Sequence, residues 1–106
     1  MPAWVALSAA IAFEIAGTTF MKMSDGFARL WPSIGLFVCY ALSFVGLTLA
    51  LKRIDVGVAY AIWSGVGTAA IAAIGMVMFG EPFSVARVLW IGVIIVGVVG
   101  LQMTSV

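Results

Sequence analysis

Four long hydrophobic stretches alternate with short polar segments along this chain, and they cover about residues 3–21, 33–51, 58–79 and 85–103. Each stretch is close to the roughly 20 apolar residues that a helix needs to cross the hydrocarbon core of a bilayer. The pattern therefore predicts an all-α membrane protein, with four transmembrane helices in one domain over residues 1–106.

The polar segments carry the turn signals expected of connectors at a membrane surface. Residues 22–32 contain a Ser-Asp-Gly turn and end on Trp31-Pro32, a pair that suits a helix start at the interface. Residues 54–57 form a tight connector, and Gly80-Glu81-Pro82 breaks the chain before the fourth helix. Val93–Val99 is rich in Val and Ile, as strands are, but it lies in a run long enough for a helix.

Composition supports the membrane reading, because 65% of the 106 residues are hydrophobic and 8% are charged. Soluble domains carry about 25% charged residues. The net charge is +1 with no basic run, so no nucleic acid partner is expected and the lipid bilayer is the predicted surrounding. The chain has no histidine, which is the commonest metal ligand. We therefore predict no metal, no cofactor and no enzymatic activity.

Glu14 is the only charged residue that lies neither in a connector nor at the end of a predicted helix. A charge at mid-membrane costs roughly 2.5–3.5 kcal/mol on insertion scales, so such residues usually have a function. A carboxyl that releases a proton can bind a cation in its place, which makes protons and small organic cations the predicted partners. The alternative is a neutral, hydrogen-bonded glutamate that only holds a helix bundle together.

Small residues share the helical face of Glu14, at spacings of three or four positions: Ala10, Gly17 and Thr18. They leave room for a ligand beside the carboxyl, and the Thr18 hydroxyl is placed to hydrogen-bond it. The alternative is that they form an ordinary packing surface, since small residues are enriched where membrane helices meet.

Aromatic residues recur at helical spacing on two further helices, as Tyr40 and Phe44 on the second and Tyr60 and Trp63 on the third. Aromatic faces near a carboxylate attract delocalised or quaternary cations. A single aromatic stripe is more often core packing, but two stripes together with a buried glutamate favour a cation site.

Glycines suggest movement in the third helix and close contact in the fourth. Gly65 and Gly67 form a candidate hinge, because closely spaced glycines are a cause of helix kinks. Gly92, Gly97 and Gly100 lie among Val and Ile and are candidates for a dimer interface.

The basic residues hardly specify an orientation in the membrane. Four helices place Lys52 and Arg53 on one side and Lys22, Arg29 and Arg87 on the other, which is two against three. A chain that inserts both ways can form an antiparallel homodimer, and secondary transporters are commonly built from two inverted repeats. The alternative is one weakly specified orientation.

Four stretches resemble motifs of a known family: Phe13–Thr19, Lys22 with Ser24–Phe27, Arg29–Ser33 and Gly57–Gly67. Together with the length and the single membrane glutamate, they resemble the small multidrug resistance family of proton-coupled cation exporters. The resemblance implies a multi-pass protein of the bacterial inner membrane that works by alternating access. It implies that Glu14 binds both proton and drug. It further implies that the four aromatic residues line or shape the site and that helix four holds an antiparallel dimer together.

The family has a branch that exports lipophilic or quaternary ammonium cations and a branch that exports guanidinium. Gly17, Thr18 and Tyr40 resemble the drug-exporting branch, since the guanidinium branch tends to carry Trp at the position of Gly17. Gly80-Glu81-Pro82 looks more like the guanidinium branch, but this loop is expected to lie far from the site. Multidrug efflux is thus favoured over guanidinium export. Alternatives of another class are a non-transporting packing subunit and half of an obligate heterodimer.

Overall fold

A computed structural model of the chain describes residues 2–104, and its regular structure there consists of four α-helices. They are α1 (Ala3–Met23), α2 (Leu30–Ala50), α3 (Val56–Met78) and α4 (Val85–Thr104). All four are long and apolar enough to cross a membrane, which confirms the predicted fold class.

The largest boundary difference lies at the start of α2, which begins at Leu30, before the expected residue 33. Trp31-Pro32 was expected to precede or open the helix, and it lies within the first turn. Proline is tolerated there because the first N–H groups of a helix have no intrahelical acceptor.

The connector between α1 and α2 turns sharply through three successive residues with positive φ: Asp25 (49°), Gly26 (66°) and Phe27 (69°). Ser24 is buried and holds this turn, since its hydroxyl donates to the Met21 carbonyl (2.8 Å) and accepts from the Phe27 N–H (3.2 Å). The predicted Ser-Asp-Gly turn is therefore the point at which the chain reverses.

The helices pack unevenly around α1. This helix lies along α2 on one side and against α3 on the other, while α4 packs mainly on α3. The buried core joins one end of α1 to the end of α2 and the start of α3, and comprises Ala6, Leu7, Ile11, Ala50, Ile54, Ala59 and Ile62. None of the described α4 residues is buried, so most of that helix surface is open.

Candidate functional site

A cavity of about 480 Å³ opens between α1 and α3. Glu14 and Thr18 of α1 form one wall, and Tyr60, Trp63 and Gly67 of α3 form the opposite wall. Glu14 lies near the middle of α1, so the cavity reaches the depth at which a charge is most costly in a bilayer.

The Glu14 carboxyl is held by a hydrogen-bonded chain that joins two helices. Its Oε1 accepts from the Thr18 hydroxyl at 2.9 Å, and that hydroxyl lies 2.6 Å from the Tyr40 hydroxyl of α2. A threonine hydroxyl has one proton to give, so a Thr18 that donates to Glu14 must accept from Tyr40. The hydrogen bonds of this chain therefore run from Tyr40 through Thr18 to the carboxyl.

The second carboxyl oxygen of Glu14, Oε2, is buried and has no hydrogen-bond partner among residues 2–104. It lies against α3 at Gly67, where a Cβ would come within 2.8 Å of it. Leaving such an oxygen unpaired in an apolar setting costs free energy, which a proton or a bound cation would offset. Because Gly67 has no side chain, it leaves room for Oε2. This is the Glu14 oxygen that remains available to bind a proton or a cation.

The two predicted aromatic stripes meet in one row beside the cavity. The rings of Tyr40 and Phe44 stack at 6.3 Å, and Phe44 meets Trp63 nearly edge-on at 6.5 Å. Tyr60 contacts Trp63 at 5.6 Å, again edge-on. Tyr60 and Trp63 face the cavity directly, so the row presents aromatic surface to anything bound at Glu14.

Ala10 and Gly17 lie instead in the α1–α2 interface. Ala10 is fully buried, and its carbonyl accepts from the Ser43 hydroxyl at 2.7 Å. A Cβ on Gly17 would come 2.9 Å from the Tyr40 ring. In this structure both residues pack helices, which is the alternative that the sequence left open for small residues on this face.

The remaining predicted glycines have distinct surroundings. α3 is a continuous helix through Gly65 and Gly67, and Gly65 lies against Val98 of α4. Gly92, Gly97 and Gly100 each have open space where a Cβ would stand. The hinge and the dimer interface stay predictions.

The expectation that the loop before α4 lies far from the site is wrong, because Glu81 lines the same cavity as Glu14. Gly80 adopts a left-handed conformation (φ 65°), and the Glu81 N–H then donates to the Gly75 carbonyl at 3.0 Å. This turn sends the Glu81 side chain back along α3. A glycine directly after an apolar helix is the signal that pointed to such a turn.

Two hydroxyl residues on the cavity wall, Ser64 and Thr68, were also missed. They are four residues apart on α3, and Ser64 is four residues after Tyr60, so they share the face of a residue that was selected. Helical spacing was the signal that could have found them.

The sequence of this chain matches a known protein family and several of its members. The model described as "Small Multidrug Resistance protein" matches residues 2–94. The uncharacterized membrane protein YvaE of Bacillus subtilis is 52% identical over 100 residues, which cover 94% of this chain and 84% of that protein. The multidrug transporter EmrE of Escherichia coli is 41% identical over 105 residues, covering 99% and 96%. A guanidinium exporter of Yersinia pseudotuberculosis is 41% identical over 103 residues, covering 97% and 99%.

Proposed function

Because this chain belongs to the small multidrug resistance family, we propose that it is a proton-coupled antiporter that exports hydrophobic and quaternary ammonium cations. The chain is a multi-pass protein of the bacterial inner membrane, related over nearly its whole length to drug efflux transporters. The proposed antiport activity rests on the cavity at Glu14.

The observation that carries the proposal is the buried, unpartnered Oε2 of Glu14, a residue that lines an aromatic-walled cavity. We propose that this oxygen binds one partner at a time, either a proton or a cation. A cation that binds must therefore displace the proton, and a returning proton must displace the cation. That competition couples the two fluxes in opposite directions, as alternating access requires.

The size and the walls of the cavity favour drug-like cations over guanidinium. Pockets for drug-sized ligands have volumes of about 300–1,000 Å³, and this cavity, at about 480 Å³, lies within that range. Tyr60 and Trp63 supply aromatic surface for a delocalised charge. Guanidinium export remains the second candidate, because Ser64, Thr68 and a second carboxylate would suit a planar hydrogen-bond donor.

We infer that the working unit is an antiparallel homodimer. One chain supplies one mid-membrane carboxyl, and none of the described α4 residues is fully buried in the isolated chain. Two copies in opposite orientations would bring two Glu14 carboxyls to one shared site and would cover α4.

A transport assay with a panel of substrates tests the proposed function. Proteoliposomes that contain the purified protein and carry an imposed pH gradient should accumulate quaternary ammonium and aromatic cations. They should accumulate much less guanidinium. Preferred uptake of guanidinium would replace the leading candidate by the second one. Binding and transport of neither class would leave a packing subunit or half of a heterodimer.

The dual orientation predicts a specific response to added charge. Two lysines added at the N-terminus, on the side of Lys52 and Arg53, change the basic balance from two against three to four against three. This variant should insert mainly one way and lose activity, and mixing it with a variant biased the other way should restore transport. Orientation can be read by labelling single cysteines placed in the connectors, with Cys39 replaced by Ala.

One-sided labelling of the wild-type chain, together with full activity of a variant fixed in one orientation, would contradict the antiparallel dimer.

A further inference from the structure

The Glu14 cavity holds a second carboxylate at its other end. Both acidic side chains lie against glycines of α3: Glu14 at Gly67 and Glu81 at Gly75, where a Cβ would come 2.6 Å from Glu81 Oε1. The two glycines are eight residues apart, which is about 12 Å along a helix. The cavity therefore runs along α3 with a carboxylate near each end.

Depth in the membrane distinguishes the two ends. Gly75 lies about 5 Å from the end of α3 at Met78, whereas Gly67 lies about 16 Å from it. Glu81 therefore stands near the membrane surface and Glu14 near mid-membrane. The Glu81 side chain is 46% exposed, so a cation arriving from solution can reach it.

Glu81 already faces a cation of this chain, but only loosely. Arg87 Nη1 lies 3.7 Å from Glu81 Oε1, while the same nitrogen donates to the Pro82 carbonyl at 3.0 Å. Both charged side chains are about half exposed, and exposed pairs of this kind contribute about 0–1 kcal/mol. Lys22 lines the adjoining cavity of about 310 Å³, which Glu81 also borders. The carboxylate is therefore available to another cation at small cost.

We propose that Glu81 is a substrate-contacting residue at the mouth of the cavity, where an organic cation displaces Arg87 before it moves on to Glu14. This inference rests on the proposed export function and adds to it an entry site with its own counter-ion. Arg87 acts as a tethered cation that occupies the mouth between substrates. Cavity walls of one charge sign raise the local concentration of an oppositely charged ligand and its rate of association.

Binding of tetraphenylphosphonium to the full-length protein in detergent tests the role of Glu81. Glu81→Gln should slow association and weaken binding about three- to fivefold at low salt, with a smaller difference at high salt because exposed charges are screened. The matched control is Asp25→Asn, which removes one carboxylate on the same side of the membrane and outside the cavity wall. Asparagine tolerates the positive φ of that position (49°), and the control should bind like wild type.

Two further variants separate substrate contact from a structural role. Gly75→Ala keeps the charge but pushes the Glu81 carboxylate out of the wall, so binding should weaken, while Gly57→Ala, which has open space, should not change it. Arg87→Gln removes the competing cation and should tighten binding relative to Arg29→Gln, which removes a basic residue from the same side.

The outcomes of these experiments distinguish failure of the Glu81 role from failure of the proposed export function. Equal binding by wild type and Glu81→Gln, with binding lost in Glu14→Gln, would overturn the role of Glu81 and leave the export function standing. Weaker binding in Arg87→Gln would show that the pair only holds the loop in place, which also overturns it. No cation binding by the wild-type protein would overturn the proposed function itself.

Discussion

Glycines on the two helices that pack against α1 have opposite effects on their contacts with it. Toward α2 the interface is closed: a Cβ on Gly46 would come 3.0 Å from the Ala6 carbonyl oxygen, and one on Gly35 would come 2.9 Å from the Phe20 ring. Toward α3 the helices leave a cavity of about 480 Å³ around Glu14. Glycine thus allows close packing in the α1–α2 interface and leaves space for a carboxylate between α1 and α3.

We therefore expect stability and cation binding to depend on separate contacts of α1. In the α1–α2 interface, backbone and ring atoms meet directly, as close approach of membrane helices requires. In the α1–α3 cavity, the contact across the gap is made by a carboxylate against Gly67. Substitutions on the first face should therefore lower stability and spare binding, and substitutions on the second should do the reverse.

The largest expected effect is at Glu14. Glu14→Gln keeps the side-chain shape and an oxygen that can accept from Thr18, but it cannot release a proton. Uptake driven by a pH gradient in proteoliposomes should be abolished while insertion and dimerisation persist. Glu14→Asp should remain partly active with a shifted pH optimum, because a shorter carboxyl lies in different surroundings.

The control for Glu14→Gln is Asp25→Asn, which removes a carboxylate outside the cavity and should transport like wild type. Uptake driven by the pH gradient in the Glu14→Gln variant would contradict proton–cation exchange at Glu14.

The next effect belongs to the closed face. Gly46→Ala places a Cβ 3.0 Å from a backbone oxygen that cannot move aside easily, and such overpacking costs about 1–3 kcal/mol. The thermal unfolding midpoint in detergent should fall, with cation affinity in the folded protein close to wild type. Gly57→Ala is the matched control, since its Cβ meets open space. Equal midpoints for the two variants would contradict the closed interface.

The smallest of the three effects is at the aromatic wall. Trp63→Ala removes a ring that faces the cavity, and cation–π attraction is worth roughly 0.5–2 kcal/mol, so affinity for planar cations should fall by up to about thirtyfold. Calorimetry on the solubilised protein measures it, with Trp31→Ala, an exposed tryptophan at the start of α2, as the control. Unchanged affinity across several aromatic cations would make Trp63 a packing residue.

The sequence was sufficient to predict the helices and to select Glu14 as the candidate site residue. The length of an apolar run is almost enough by itself to predict a membrane-spanning helix. A single carboxylate within such a run can be identified without knowledge of the fold. The aromatic stripes were found in the same way, because helical spacing places Tyr60 and Trp63 on one face whatever that face contacts.

The direction in which each face points could not be read from the sequence. A helix that is apolar all round carries no polar stripe to mark its outward side, so nothing in the pattern told that Ala10 and Gly17 face α2. Glu81 was misplaced for a different reason. Its position depends on the left-handed turn at Gly80 and on one hydrogen bond to Gly75, which a charge count does not reveal.

Proton release on cation binding would show directly whether proton and cation compete for Glu14. Tetraphenylphosphonium added to weakly buffered protein should release protons from the wild type and none from Glu14→Gln, and the apparent cation affinity should fall as the pH is lowered. These results would follow from competition between proton and cation for one carboxyl. Cation binding with unchanged affinity from mildly acidic to alkaline pH, and without proton release, would contradict the account.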